Sequence, residues 1–497
     1  MSIGKTISEV RKSLKSGEYT CKELTRSYLD KIEKHKNLNA YVTVTADKAM
    51  EQAEIADQKI RSGEDGDLLG VPLGIKDLYC TKDIRTTSCS KILSNFVPKY
   101  ESTVTQNLLD AGSVFLGKTN MDELAMGSST TTSYFGNCYL PYRASDNPDD
   151  EICPGGSSGG SAAATVVDLC VASTGSDTGG SIRQPAAFAG LVGIKPTYGL
   201  CSRYGMIAFA SSLDQAGPIT KNVEDCAIML RAMAGYDPKD STSLNVDIPD
   251  YTKSLNKSVK GLKIGIPENL LSMLDDDGLN IIDTAKKILV DIGCELVSID
   301  ISSMEYSLPA YYIIAPAEAS SNLARLDGVR YCYRSDNPRG IEDLYVKTRT
   351  EGFGDEVQRR ILAGTYILSS GHYDAYYTRA LKIRQLIKND FINNGFSNVD
   401  AIMTPTTIGP AFSIKNSKNM TPIQMYLSDV FTVTANVIGV PAISLPVGLS
   451  RNSLLPMSVQ FIGNRLSEEL LFQISSAFEK EVCFDSLRMN IRRSIDA

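Results

Sequence analysis

Apolar side chains recur every three or four residues at the start of the chain: Ile7, Val10 and Leu14, then Leu24, Tyr28 and Ile32. This spacing lines one face of a helix, so residues 5–62 are expected to be helical. The pattern changes at residue 71. Val71-Pro72-Leu73-Gly74-Ile75 is a short apolar run closed by Lys76-Asp77, and 113–117 is a second; both read as buried strands, with a helix near 122–126. Residues 158–165 open on glycine and continue in alanine, which suggests a helix. The apolar, β-branched run 166–173 then reads as a strand, and 182–188 begins another helix. Beyond the polar stretch 237–259, strands are expected at 262–266, 295–299, 401–403, 442–445 and 458–462. Helices are expected near 281–292, 310–326, 355–368, 373–392, 422–437 and 468–480. Strands alternating with helices indicate an α/β fold layered around a mostly buried sheet. Composition does not shift sharply at 237–259, so residues 1–497 read as one domain, with the helical region of about 1–62 packed on it.

Composition narrows the partners. Hydrophobic residues make up 42% and charged residues 22% of 497, as in an ordinary globular chain. The net charge of −7 argues against a self-sufficient nucleic-acid binder, which carries a basic face. The eleven cysteines include no C-x-x-C pair of the kind that binds zinc. Met1-Ser2-Ile3-Gly4-Lys5 leads into a charged helical pattern, no run approaches a membrane span, and a cytoplasmic location with reduced thiols is expected.

The candidate chemistry lies in two glycine-serine stretches, Pro154-Gly155-Gly156-Ser157-Ser158-Gly159-Gly160-Ser161 and Gly175-Ser176-Asp177-Thr178-Gly179-Gly180-Ser181-Ile182-Arg183. Neither spells a phosphate-binding loop. Ser181 falls where a strand meets a helix. A hydroxyl there can act as a nucleophile, and the amides of Thr178, Gly179, Gly180 and Ser181 can form an oxyanion hole. A purely structural turn is the alternative. A nucleophilic serine needs a base, yet the chain has only His35, in the charged run 31–36, and His372, between two expected helices. A buried, neutral lysine can replace histidine, and Lys76, after an apolar strand, is the candidate; a lysine at a strand end is otherwise a surface residue.

Together, Gly74-Ile75-Lys76-Asp77 and the two glycine-serine stretches resemble the amidase signature family. The resemblance implies a large mixed central β-sheet covered by α-helices on both sides. It also implies a Ser–Ser–Lys triad: Ser181 as nucleophile and Ser157, after a cis peptide, relaying the proton to Lys76. Within the family, the chain is most similar to the glutamine-hydrolysing branch found in tRNA-dependent amidotransferases. This similarity rests on Lys195-Pro196-Thr197-Tyr198-Gly199, Phe209-Ala210-Ser211-Ser212-Leu213-Asp214-Gln215, and the segments 318–325 and 352–360. It implies that Arg360 grips the α-carboxylate of glutamine, Asp429 holds the α-amino group and Tyr311 lines the pocket; Arg359, beside Arg360, leaves that choice to the resemblance. It further implies B and C partner subunits, with ATP, magnesium and the misacylated tRNA handled mainly by the B subunit. No metal or cofactor is expected in this chain's own chemistry. Segment 137–153 looks longer than usual for the family and is expected to alter the pocket rim. A free-standing amidase of the family and a catalytically silent subunit remain open alternatives.

Overall fold

In the computed structural model, which describes residues 5–482, one sheet organises the chain. Its eleven strands are β1 Tyr41–Val44, β2 Pro72–Lys76, β3 Val114–Thr119, β4 Ala172–Asp177, β5 Val192–Lys195, β6 Gln215–Thr220, β7 Lys263–Pro267, β8 Glu295–Ile299, β9 Ala401–Pro405, β10 Ala442–Leu449 and β11 Pro456–Gly463. Their spatial order is β1-β3-β2-β4-β6-β5-β10-β11-β9-β7-β8. Parallel pairs join β3 to β2 to β4 and β9 to β7 to β8, and the middle of the sheet is antiparallel. The sheet is therefore mixed, as the resemblance implies. Every residue of β2, β3 and β4 is buried. Side chains alternate between the two faces of a strand, so both faces of this part are covered.

The expected helical start is two capped helices and a third beyond a strand. Thr6 and Thr20 begin Ile7–Ser16 and Cys21–Lys34, each with a reciprocal Glu three residues later, and Gly17 closes the first at φ 72°. The region is not wholly helical, because β1 interrupts it before Ala46–Arg61 and pairs with β3. Residues 1–4 lie outside the described residues.

Several other expectations shift. The helix of 159–166 runs through Val166, so the strand expected at 166–173 starts at Ala172 and reaches Asp177. The helix expected near 122–126 is a single 3₁₀ turn, Glu123–Ala125, with Leu124 and Ala125 in the left-handed region. The helix expected over 422–437 is broken into Pro422–Leu427 and Val433–Ile438. The helix expected over 373–392 is Arg379–Asp390, flanked by the π-helical turns Asp374–Thr378 and Phe391–Gly395. The polar connection at 237–259 holds only the 3₁₀ turn Tyr251–Ser254.

Candidate active site

Lys76 is the last residue of β2 and none of it is exposed. Its Nζ lies 2.8 Å from Ser157 Oγ, 2.8 Å from Ser158 Oγ and 2.8 Å from Ser176 Oγ. Burial brings its pKa down to about 7, although Asp122, Asp177, Cys89 and Asp214 act in the opposite direction. The family resemblance implies Ser157 but neither Ser158 nor Ser176, which lie in the same two stretches and complete the ring of hydroxyls. Gly156-Ser157 is a cis peptide. No other residue fits at 156, where a Cβ would come within 1.9 Å of Asp122 Oδ2.

Ser181 lies just beyond β4 at the entrance to helix Arg183–Ala189 and is 9% exposed. Among the described residues no hydrogen bond joins the Ser157 and Ser181 hydroxyls. The two stretches meet through the Ser158 N–H, which donates to the Ser181 carbonyl at 3.2 Å. Catalytic hydrogen bonds commonly tighten only with substrate bound. The amides of Gly179, Gly180 and Ser181 have no acceptor among the described residues. They are thus available to a developing oxyanion.

A buried network holds this turn. Asp177 Oδ2 accepts from Ile182 N at 3.2 Å and Arg183 Nε at 3.0 Å, while Oδ1 accepts from Arg183 Nη2 at 3.1 Å and Asn436 Nδ2 at 2.8 Å. Arg183 also donates to Gln460 and Asn436. Burial would raise the Asp177 pKa, but the Arg183 charge and the donated bonds outweigh it and hold it below the usual value. From the other side, Thr432 Oγ1 donates to Gly179 O at 2.7 Å. Thr178 Oγ1 donates to Asp214, which also accepts the amides of Phe209 and Ala210. Ser212 and Asn322 then tie this loop to helix Ser307–Asn322, since Ser212 donates to Glu318 and Asn322 Nδ2 to Phe209 O. Two segments that looked diagnostic in the sequence are therefore one support.

Of the three expected substrate contacts, Tyr311 and Asp429 lie over the same turn, and the charge of Arg360 acts on both. A Cβ on Gly179 would come within 2.8 Å of the Tyr311 ring, and one on Gly180 within 3.2 Å of Asp429 Oδ1, so both side chains press against the glycines. Asp429 is buried, accepts from Ser128 Oγ at 2.8 Å and has its pKa pushed up to about 7 by burial. Arg360 is 5% exposed, whereas the neighbouring Arg359 side chain is 50% exposed. Arg360 Nε donates to Glu356 Oε1 at 2.8 Å, and its guanidinium faces the rings of Phe209, Tyr312 and Tyr426 at 5.5–5.7 Å. A cavity of about 400 Å³ opens beside it, lined in part by Ser128, Glu356, Arg359 and Tyr426.

Other candidates fall elsewhere. His372 meets Ser369 and the rings of Tyr366 and Tyr376, and His35 caps helix Cys21–Lys34. Segment 137–153 does not form the rim of the Arg360 cavity. Its residues line a separate cleft of about 760 Å³ with Lys31, Lys34 and His35. Leu140 N–H donates to Ile152 O, which folds the segment back on itself. Among the described residues, no cluster of three or more His, Cys, Asp or Glu side chains could hold a metal, no helix is long and apolar enough to cross a membrane, and ten cysteines are free.

Comparison with known proteins agrees with this geometry. The family model described as Amidase matches residues 23–472. The A subunit of the glutamyl-tRNA(Gln) amidotransferase of Xanthobacter autotrophicus is 53% identical over 476 residues, covering 96% of each chain. The crystal structure of the Thermotoga maritima protein of the same name superposes with a TM-score of 0.77 at 39% identity, covering 96% of this chain and 94% of the other. The peptide amidase of Stenotrophomonas maltophilia gives a TM-score of 0.80 at 28% identity, covering 96% and 97%. With a match over most of its length and a buried lysine set among the serines of both stretches, the chain belongs to the amidase signature family.

Proposed function

We propose that the chain is the glutaminase subunit of a tRNA-dependent amidotransferase, with Ser181, Ser157 and Lys76 as its catalytic triad. The observation that carries this reading is the buried Lys76 amine, made a neutral-pH base by burial and bonded to Ser157 beneath the Ser181 turn. Ser181 Oγ attacks the side-chain amide carbon of glutamine while its proton passes through Ser157 to Lys76. The negative charge formed on oxygen is taken by the amides of Thr178 to Ser181. The proton then moves to the leaving nitrogen, the C–N bond breaks and ammonia departs. Water, deprotonated through the same relay, hydrolyses the glutamyl ester on Ser181. Arg360, Asp429 and Tyr311 select the amino acid, because a guanidinium fork pairs with a carboxylate and a carboxylate with an ammonium.

The 53% identity supports passage of the ammonia to a B subunit that activates Glu-tRNA(Gln) with ATP and magnesium, a C subunit bracing the pair, and a cytoplasmic location. Over a free-standing amidase, the glutaminase reading is favoured by the Arg360–Asp429 arrangement, which would serve an amino-acid substrate and no simple amide. The test is ammonia release from glutamine, with intact-mass measurement on enzyme quenched during turnover. The expected result is a glutamyl adduct that Ser181→Ala abolishes together with activity. An adduct persisting on Ser181→Ala overturns the nucleophile assignment, and absence of any glutamine hydrolysis overturns the function.

A further inference from the structure

The 3₁₀ turn Glu123–Ala125 links two halves of the site that also meet through Ser128–Asp429 and Tyr426–Glu356. Asp122, before the turn, belongs to the relay half. Its backbone N–H donates to Ser157 O at 3.2 Å, and its carboxylate accepts the amides of Ser129 and Thr130 and the hydroxyl of Thr132. Glu123 points the other way. It is buried, one carboxylate oxygen accepts the hydroxyl of Ser90, and Oε2 accepts the Gly354 N–H at 2.9 Å. Gly354 is the N-cap residue of Asp355–Leu368, the helix that carries Glu356 and Arg360, and it supplies no side-chain cap of its own. A carboxylate at a helix N-terminus satisfies an orphan amide and favours the helix dipole. A Cβ at 354 would come within 2.5 Å of Glu123 Oε2, so the contact also requires glycine there.

We propose that Glu123 is a positioning residue which sets the distance between the Ser181 acyl-transfer centre and the Arg360 guanidinium, by docking the start of the arginine helix onto the turn that holds the Ser157 loop. The proposal rests on the glutaminase reading, in which Arg360 grips the α-carboxylate. A substrate held at both ends makes such a spacing matter, because a displacement of about 1 Å at one end moves the amide carbon off line and costs about 100-fold in rate. Glu123 also lines the cavity beside Arg360, but its carboxylate oxygens are committed to Ser90 and Gly354, so it acts through the helix.

The test uses the full chain with any partners that co-purify, and two readouts that separate positioning from collapse. The first is kcat/KM for glutamine. The second is the rate at which a small alkyl fluorophosphonate labels Ser181, which needs the relay and the oxyanion hole but no clamp. Glu123→Ala is expected to lower glutamine kcat/KM by at least about 30-fold with labelling changed less than about 3-fold. Gly354→Ala, which displaces the carboxylate from the other side, is expected to do the same more weakly. Glu123→Gln is expected to restore activity, since its amide oxygen can accept the Gly354 N–H while its NH₂ donates to Ser90 Oγ. The Ser90 hydroxyl proton can then turn to Gly352 O, 3.4 Å away. An equal fall in both readouts for both destabilising variants, or no fall in glutamine turnover, overturns the proposal. Wild-type protein that labels at Ser181 but leaves glutamine intact overturns the glutaminase reading instead.

Discussion

Lys76 can take a proton from Ser157 only while it is neutral, and burial brings its pKa to about 7. Asp429 has to be ionised to hold an ammonium, and burial lifts its pKa to about 7 as well. Both groups are therefore inactivated in the same direction as pH falls through 7, one by gaining a positive charge and the other by losing a negative one. For glutamine, log kcat/KM reports the free enzyme and should fall below pH 7 with a slope approaching about 2. In the bound complex the substrate ammonium keeps Asp429 ionised, so kcat should fall with a slope of about 1. In Asp429→Asn the kcat/KM slope should drop to about 1 and KM should rise. A steady-state pH series on both proteins checks this, and a wild-type kcat/KM slope of 1 would remove Asp429 from the binding of glutamine. Glycine-rich stretches and a shortage of histidine are sequence properties and made Ser181 and Lys76 candidates, whereas Ser157 and the roles of all three came from the family resemblance. Arg360 and Arg359 were not separable on the same terms. Their difference is a helix rotation that buries one guanidinium among Phe209, Tyr312 and Tyr426 and leaves the other half exposed.

The nucleophile turn keeps its shape through helix Arg183–Ala189 and the broken pair Pro422–Leu427 and Val433–Ile438. Thr432 and Asn436 reach Gly179 and Asp177 from Val433–Ile438 and the residue that precedes it. Asp429 and Thr432, in the break between these two short helices, both lie against Gly180. Arg183 is the fastener between these elements, with bonds to Asp177, Asn436 and Gln460. Arg183→Ala leaves the Asp177 carboxylate buried without its cation and should cost about 3–5 kcal/mol. Arg183→Lys keeps the charge but cannot reproduce the planar fork that meets Asp177 and Asn436 together, so it should recover only part of that loss. Urea denaturation midpoints at constant m-value measure both. A shift below about 1 kcal/mol for Arg183→Ala would show that the network does not fasten the turn.

Most of the sheet was legible, its central β10 and β11 included, because β2, β3, β7, β8, β9, β10 and β11 are apolar runs; β5 was missed because it is short, and β6 because it contains Gly217-Pro218, which reads as a turn. Proline is tolerated there because β5 pairs with β6 only at Ile219 and Thr220, leaving no ladder bond for Pro218 to spoil on that side. The chain carries 58 acidic and 51 basic residues for a net −7. Binding to a polyanion draws on Lys and Arg that release condensed cations, and a net negative chain resists that association at every step of approach. In the proposed assembly the tRNA is held by the B subunit, so this chain alone should bind tRNA no more tightly than the non-specific range of about 10⁻⁴–10⁻⁶ M at physiological salt. Fluorescence anisotropy of labelled tRNA, titrated with the isolated chain and then with the co-purified complex, measures the difference. Nanomolar binding by the complex with none by the chain fits a hydrolase that receives glutamine itself and leaves the tRNA to its partner. Nanomolar binding by the chain alone would place a tRNA site on this protein and overturn that division.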